Sequence, residues 1–273
     1  MSIKPKKSLG QHFLTDSNII RKIVDSVRCA PDGNVVEIGP GTGAVTEPLL
    51  ERFPSLEVIE IDERAVDFLQ ATYPKLKIHQ QDVLRTSWQS LFQREGETER
   101  PISVVGNLPY YITSPILFSV IDERSLFSEA IFMMQKEVAE RLTAKTRTKD
   151  YGILSVQTQI WSRPEYLFTV SRHVFNPKPN VESAVVRLTF DTPDPGVDPA
   201  FLKVLIRTAF NQRRKTLSNS IKSILLDAFP KESDPDGAKR SQFSLENGLH
   251  RRAEELEPSE FIDLAKAFLR QAS

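Results

Sequence analysis

Short apolar runs rich in β-branched residues alternate with amphipathic stretches of helical period through the first two-thirds of the chain. "NVVEIGPGTG" (34–43) is a strand running into a glycine loop, followed by the helical "AVTEPLLERF". "LEVIEID" (56–62) is a second strand, followed by the helical "ERAVDFLQATY". "KLKIHQQD" (75–82) is a third, and "PISVVGNLPY" (101–110) a fourth with its helix "SPILFSVID". "EAIFMMQ" (129–135) is a fifth, leading into "KEVAERL". This alternation predicts βαβ units around a mostly parallel sheet, an α/β fold. After a helical "YGILSVQTQIW", the segments "PEYLFTVS" and "SAVVRLTF" read as two late strands, an antiparallel hairpin at the sheet edge.

"DTPDPGVDP" (191–199), with three prolines, three aspartates and a glycine, ends the pattern and reads as a domain boundary. Beyond it only helical period remains: "FLKVLIRTAF", "KTLSNSIKSILLDAF" and "PSEFIDLAKAFLRQ", the last with Pro258 near its start. The expected architecture is an α/β domain over residues 1–191 and a small all-α domain over 198–273.

Composition adds limits. Of 273 residues, 40% are hydrophobic and 26% charged, the balance of an ordinary globular protein. No apolar stretch approaches a membrane span, and "MSIKPKKSLGQHFL" lacks the apolar run of a secretory leader, so no membrane association is expected. The single cysteine, Cys29, excludes an internal disulfide and fits a reducing cytoplasm. The four histidines, His12, His79, His173 and His250, lack metal-ligand spacing, and no metal site is expected. Net charge is zero, which argues against a simple basic coat for nucleic acid, but its distribution is uneven. Lys4, Lys6, Lys7, Arg21, Lys22 and Arg28 crowd the first 30 residues against Asp16 and Asp25. "IRTAFNQRRKTLSNSIK" (206–222) carries five basic residues and no acid. Each segment alone reads as a solvated face; together they suit two parts of a polyanion surface.

Ligands of open parallel sheets bind outside the carboxyl ends of the strands. Four unusual stretches fall there: Gly39 to Gly43, Glu60-Ile61-Asp62, Gln81-Asp82 and Asn107 to Tyr110. The glycine loop, with Gly39 and Gly41, lets backbone pass close to a ligand at a helix start. Alone it fits a dinucleotide, S-adenosylmethionine or a plain tight turn. Glu60 can accept from ribose hydroxyls. Asp82 can accept from an adenine amine or cap a helix. Asn107-Leu108-Pro109-Tyr110 serves no purpose in hydride transfer. It suits an exocyclic amine on a planar ring: the Asn107 side-chain oxygen and the Leu108 carbonyl accept its N–H groups, and Tyr110 stacks on the ring.

"GQHFL", "EIGPGTG", "VIEID", "QQD", "NLPYYITSP", "FNPKPNVESAV" and "FNQRRKTLSNS", taken in order, resemble the ribosomal RNA adenine N6-dimethyltransferase family. The likeness is to its bacterial branch, which dimethylates two adjacent adenosines near the 3′ end of 16S rRNA in the small ribosomal subunit. The resemblance implies a Rossmann-like class I S-adenosylmethionine-dependent domain and a helical RNA-binding domain, acting as a cytoplasmic monomer. It implies that His12 and Leu14 line the methionine part of the cofactor and that Gly39 and Gly41 approach it. Glu60 would then take the ribose, Asp82 the adenine amine, and Asn107 both cofactor and target. Phe175 would stack on the target base opposite Tyr110, and Arg213, Arg214 and Lys215 would grip RNA phosphates. In many members Asn stands at the position of His12.

The chemistry expected of such a site is placement and electrostatics, because the amine nitrogen becomes acidic only after methyl transfer. The target base must leave its stack, and aromatic faces offset that cost at roughly 1–3 kcal/mol per stacked base. Three other readings differ in particulars. A large-subunit methylase of the macrolide-resistance type usually has Lys where Thr42 stands and lacks the RRK stretch. A DNA adenine methyltransferase more often has Asp or Asn-Pro-Pro at 107–109. A non-enzymatic assembly factor would show a degraded methyl-donor site, and this one is intact.

Overall fold

The computed structural model describes residues 3–6, 9–92 and 101–272; Lys7 of the N-terminal basic segment lies outside them. The strands are β1 (Phe13–Leu14), β2 (Asn34–Ile38), β3 (Glu57–Glu60), β4 (Lys77–Gln80), β5 (Ile102–Asn107), β6 (Phe127–Gln135), β7 (Arg163–Val170), β8 (Phe175–Asn176) and β9 (Ser183–Thr189). Seven of them form one sheet in the order β4-β3-β2-β5-β6-β9-β7. Strands β2 to β6 pair in parallel, and β9 runs antiparallel between β6 and β7. The late hairpin is therefore built as expected, with β7 on the edge.

The central strands read as continuous apolar runs because successive residues, which point to opposite faces, are buried. In β2, Val35, Val36 and Ile38 are all under 4% exposed, and Glu37 among them is only 4% exposed. The chain builds outward from β2 to β4, then crosses back to β5 on the other side of β2. That reversal leaves a crevice at the carboxyl ends of β2 and β5, where open sheets bind ligands.

The chain divides into two compact units, Met1–Ala139 with Ser162–Asp191, and Glu140–Trp161 with Thr192–Ser273. The division differs from the sequence boundary in one segment, 140–161. Its helix Ile153–Trp161 packs against the helices Pro199–Phe210 and Pro258–Ala272. Just ahead of it, the Tyr151 ring meets Phe210 edge-on and its hydroxyl donates to the Leu256 carbonyl at 2.7 Å. Such long-range packing leaves no mark in local period. In the same unit, Asp198 caps Pro199–Phe210 by accepting from the amides of Ala200 and Phe201, which is how the linker's Asp-Pro ends one unit and starts a helix. "KTLSNSIKSILLDAF", expected as one helix, is two, Leu217–Ser220 and Lys222–Ala228, interrupted at Ile221.

Candidate active site

The sheet register brings the four strand ends to one rim. Ile38 lies beside Ile59 and Gly106, and Glu60 beside Gln80. The ladder runs one residue past the strands, with the Gly39 amide donating to Ile59 (2.9 Å), Gln81 to Glu60 (3.0 Å) and Leu108 to Met133 (2.9 Å). Above this rim lies a cavity of about 300 Å³. His12, Gly39, Gly41, Glu60, Asp82, Asn107, Leu108 and Tyr110 all line it.

Gly39 and Gly41 have φ of +65° and +56°, the region that disfavours any Cβ. They differ in what surrounds them. A Cβ on Gly41 would stand 2.9 Å from the Phe13 ring, whereas nothing lies within 4 Å of one on Gly39. Gly41 is thus a packing glycine, and Gly39 opens its backbone to the cavity. Beside them the Glu60 carboxylate is 6% exposed. Its Oε1 accepts from the amides of Ile61 and Asp62, both at 2.8 Å, and its Oε2 from Gly41 at 3.1 Å. Burial raises its pKa, and the three amides pull the other way. Two oxygens offer about four acceptor sites, so one remains, on Oε2.

The opposite wall is the N-terminal segment. Leu9 to Phe13 line the cavity. Asp62, whose side chain is fully buried, holds them: Gln11 donates to it at 3.1 Å and Lys6 at 3.5 Å. Arg64 bonds Asp62 and donates to the Lys4 carbonyl at 3.0 Å. The Arg64 hydrogen bonds hold the Asp62 carboxyl far below the usual carboxylate range.

Asn107, at the tip of β5, donates through Nδ2 to the His12 carbonyl at 3.1 Å. A carbonyl only accepts, so this bond fixes the amide and leaves Oδ1 as its acceptor end. Tyr110 is anchored through its hydroxyl to Ser183 Oγ at 2.7 Å, and burial raises its pKa. The His12 ring stacks on Tyr110, with centroids 5.7 Å apart and planes 26° apart. His12 Nδ1 meets the Pro177 carbonyl at 2.6 Å. Because that partner only accepts, Nδ1 carries the proton there. Asp82 caps the short helix Val83–Arg85, accepting from Leu84 at 2.9 Å through Oδ1.

Two residues expected here lie elsewhere. Phe175 and Leu14 face each other in the β1–β8 ladder, are 5% and 4% exposed, and belong to the hydrophobic core; neither lines the cavity. In this structure Phe175 is thus part of the core packing and forms no wall of the cavity. The ladder joins segments some 160 residues apart, which no local pattern reveals. Sequence reading gave no role to Ile61, Leu84 and Tyr111, which line the cavity yet are 53%, 39% and 60% exposed. Ile61 sits one residue beyond Glu60, and an apolar side chain beyond a strand-end acid was the available signal.

In the second unit, Pro199–Phe210 ends at Asn211 and residues 211–215 form a turn. Arg213, itself exposed, is tied down: it pairs with Glu254 at 2.6 Å and donates to the carbonyls of Lys149 (2.9 Å) and Thr148 (3.1 Å). Arg214 and Lys215 are exposed. Among the described residues no cluster of three or more His, Cys, Asp or Glu could hold a metal, and no helix is long and apolar enough to cross a membrane.

The sequence model of the family described as "Ribosomal RNA adenine dimethylase" matches residues 3–235. The "Ribosomal RNA small subunit methyltransferase A" of Chlorobium chlorochromatii is 49% identical over 220 residues, 81% of this chain and 82% of that protein. Among solved structures, a dimethyladenosine transferase from Plasmodium falciparum superposes with a TM-score of 0.79 at 25% identity, covering 96% of this chain and 98% of that one. The 23S rRNA methyltransferase ErmE superposes with a TM-score of 0.65 at 25% identity, covering 94% of this chain and 99% of that one. Fold and rim together are those of a class I S-adenosylmethionine-dependent methyltransferase. Within that class the chain belongs to the ribosomal RNA adenine dimethylase family.

Proposed function

We propose that this protein transfers methyl groups from S-adenosylmethionine to the N6 amines of two adjacent adenosines near the 3′ end of 16S rRNA, on the small ribosomal subunit in the cytoplasm. The observation that carries the reading is the fixed amide of Asn107. Its nitrogen is committed to the His12 carbonyl, so its oxygen is presented as an acceptor at the strand tip. A site for an amine needs an acceptor there; a donor would repel it.

The cavity fits the cofactor on three counts. Gly39 leaves room where a Cβ would stand, Glu60 keeps one acceptor site on Oε2, and Ile61 and Leu84 offer exposed apolar surface to a ring. Glu60 would take a ribose hydroxyl, and Asp82 the adenine amine through the oxygen not used in capping. Gly39 and His12 would line the methionine part. When bound, the cofactor supplies an electrophilic methyl group on a sulfonium.

This chain's own residues hold and orient the acceptor amine. Its lone pair is delocalised into the purine ring, which makes it a poor nucleophile. Asn107 Oδ1 and the Leu108 carbonyl, accepting its two N–H bonds, favour a pyramidal nitrogen with the lone pair directed out of the ring plane. Tyr110, fixed by Ser183, offers an aromatic face to the unstacked base. Arg214 and Lys215 supply phosphate contacts from the second unit, and Arg213 braces the turn that carries them.

The test is transfer of tritiated methyl groups to small subunits lacking these modifications, with digestion to nucleosides. The expected product is N6,N6-dimethyladenosine from 16S rRNA. Label confined to the large-subunit rRNA, or to another nucleoside, overturns the reading.

A further inference from the structure

The second unit carries a groove of about 490 Å³, lined wholly by residues between Ser218 and His250. Two backbone ties build it. Ser218 donates to the Leu249 carbonyl at 2.9 Å and Leu217 to the Arg251 carbonyl at 2.8 Å, fastening the start of Leu217–Ser220 to the 249–251 segment. The helix Ala238–Glu246 forms the far wall.

Lys222, Arg240 and His250 converge on this groove, and no carboxylate lines it. The acids nearest in sequence to the helix wall accept from local partners: exposed Asp236 from the Ala238 amide at 3.1 Å. Asp234, 4% exposed, accepts from the backbone amides of Lys239 (3.0 Å) and Arg240 (3.1 Å). Glu246 accepts from Gln242 at 2.6 Å. No salt bridge among the described residues involves Lys222, Arg240 or His250, unlike Arg213 and Arg251, which pair with Glu254 and Glu260. Ser241 and Ser244 add hydroxyl donors on the helix wall.

Cations, neutral donors and no acid form the donor set that phosphate oxygens select. A protein partner is a poorer match, since interface cores are rich in Tyr, Trp and Phe and none of these lines this groove. We propose that it holds an rRNA phosphate backbone, a second RNA contact beside Arg214 and Lys215. The inference rests on the proposed action on rRNA. It assigns the groove to positioning and salt dependence, with base choice left to the rim of the other unit.

The test combines Lys222→Gln, Arg240→Gln and His250→Gln in the full-length protein. Binding to small subunits lacking dimethyladenosine is measured at several salt concentrations. Each phosphate contact by a cation contributes roughly 0.7–0.9 to the slope of log affinity against log salt, so losing Lys222 and Arg240 should lower the slope by about 1.4–1.8. Cofactor affinity and melting temperature should match the wild type. An unchanged slope overturns the proposal. Should the triple variant melt early, Lys222→Gln and Ser244→Glu are read singly; both must weaken subunit binding, and an unaltered affinity in both overturns it. A photo-crosslinking benzoylphenylalanine in place of Leu245, a groove residue 73% exposed, tells RNA from protein. Crosslinks to rRNA support the proposal, and crosslinks only to a ribosomal protein overturn it. Wild-type protein that binds subunits but transfers no methyl group refutes the functional reading separately, while the slope still decides the groove.

Discussion

Glu37→Gln should make the protein more stable at alkaline pH, by an amount set by where this carboxyl sits. Glu37 is on β2 directly before the glycine loop, 4% exposed, with Thr46 donating to its Oε2 at 2.6 Å. Burial, opposed by the Thr46 bond and reinforced by the Glu60 charge, raises its pKa from the ordinary 4.5 to about 8. A raised pKa means that the stability it contributes is complete below 4.5 and is lost as pH rises toward 8. In that window the unfolded chain has released the proton and the native chain keeps it. Unfolding free energy then falls by about 1.4 kcal/mol per pH unit, or by about 4 kcal/mol from pH 5 to pH 8. Against a typical total of about 5–15 kcal/mol this is a large fraction. Glutamine keeps the shape and the carbonyl acceptor for Thr46 but has no proton to lose. Urea unfolding of both proteins across this range should show the variant gaining on the wild type by about that amount. Parallel stability curves would refute the reasoning.

Glu60→Ala should weaken S-adenosylmethionine binding about tenfold to a hundredfold by calorimetry, the worth of a hydrogen bond to a charged acceptor, with subunit binding unchanged. The double variant Arg214→Gln, Lys215→Gln should lower the salt slope of subunit binding by about 2 with no change in melting temperature. Arg213→Gln should do the reverse, lowering the melting temperature through loss of the Glu254 pair and the Thr148 and Lys149 carbonyl bonds while moving the slope little.

The rim was legible because strand ends announce themselves. β-Branched runs stop at Gly39, Glu60, Gln80 and Asn107, and one rule about parallel sheets places those stops together. Less legible was anything that depends on pairing across the chain. The place of Phe175 is set by its pairing with Leu14 in a two-residue ladder, which puts it in the core. Arg213 shares a basic run with Arg214 and Lys215, but its acid and carbonyl partners lie at 254 and at 148–149. Asp82 shows why a capping role and a ligand role need not compete, since capping uses one oxygen and the side chain still lines the cavity. The helix Ala238–Glu246, with weak apolar period, escaped sequence reading, and it forms a wall of the second-unit groove.

The account stands or falls on Asn107 as the acceptor for the target amine. The most direct measurement is single-turnover methyl transfer by Asn107→Ala on small subunits lacking dimethyladenosine, with subunit affinity and melting temperature measured alongside. Loss of one preorganised contact to the reacting group costs on the order of a hundredfold or more. The account predicts a drop of that size with subunit affinity and fold intact; a rate within about threefold of the wild type, under half the free energy of a tenfold effect, would contradict it.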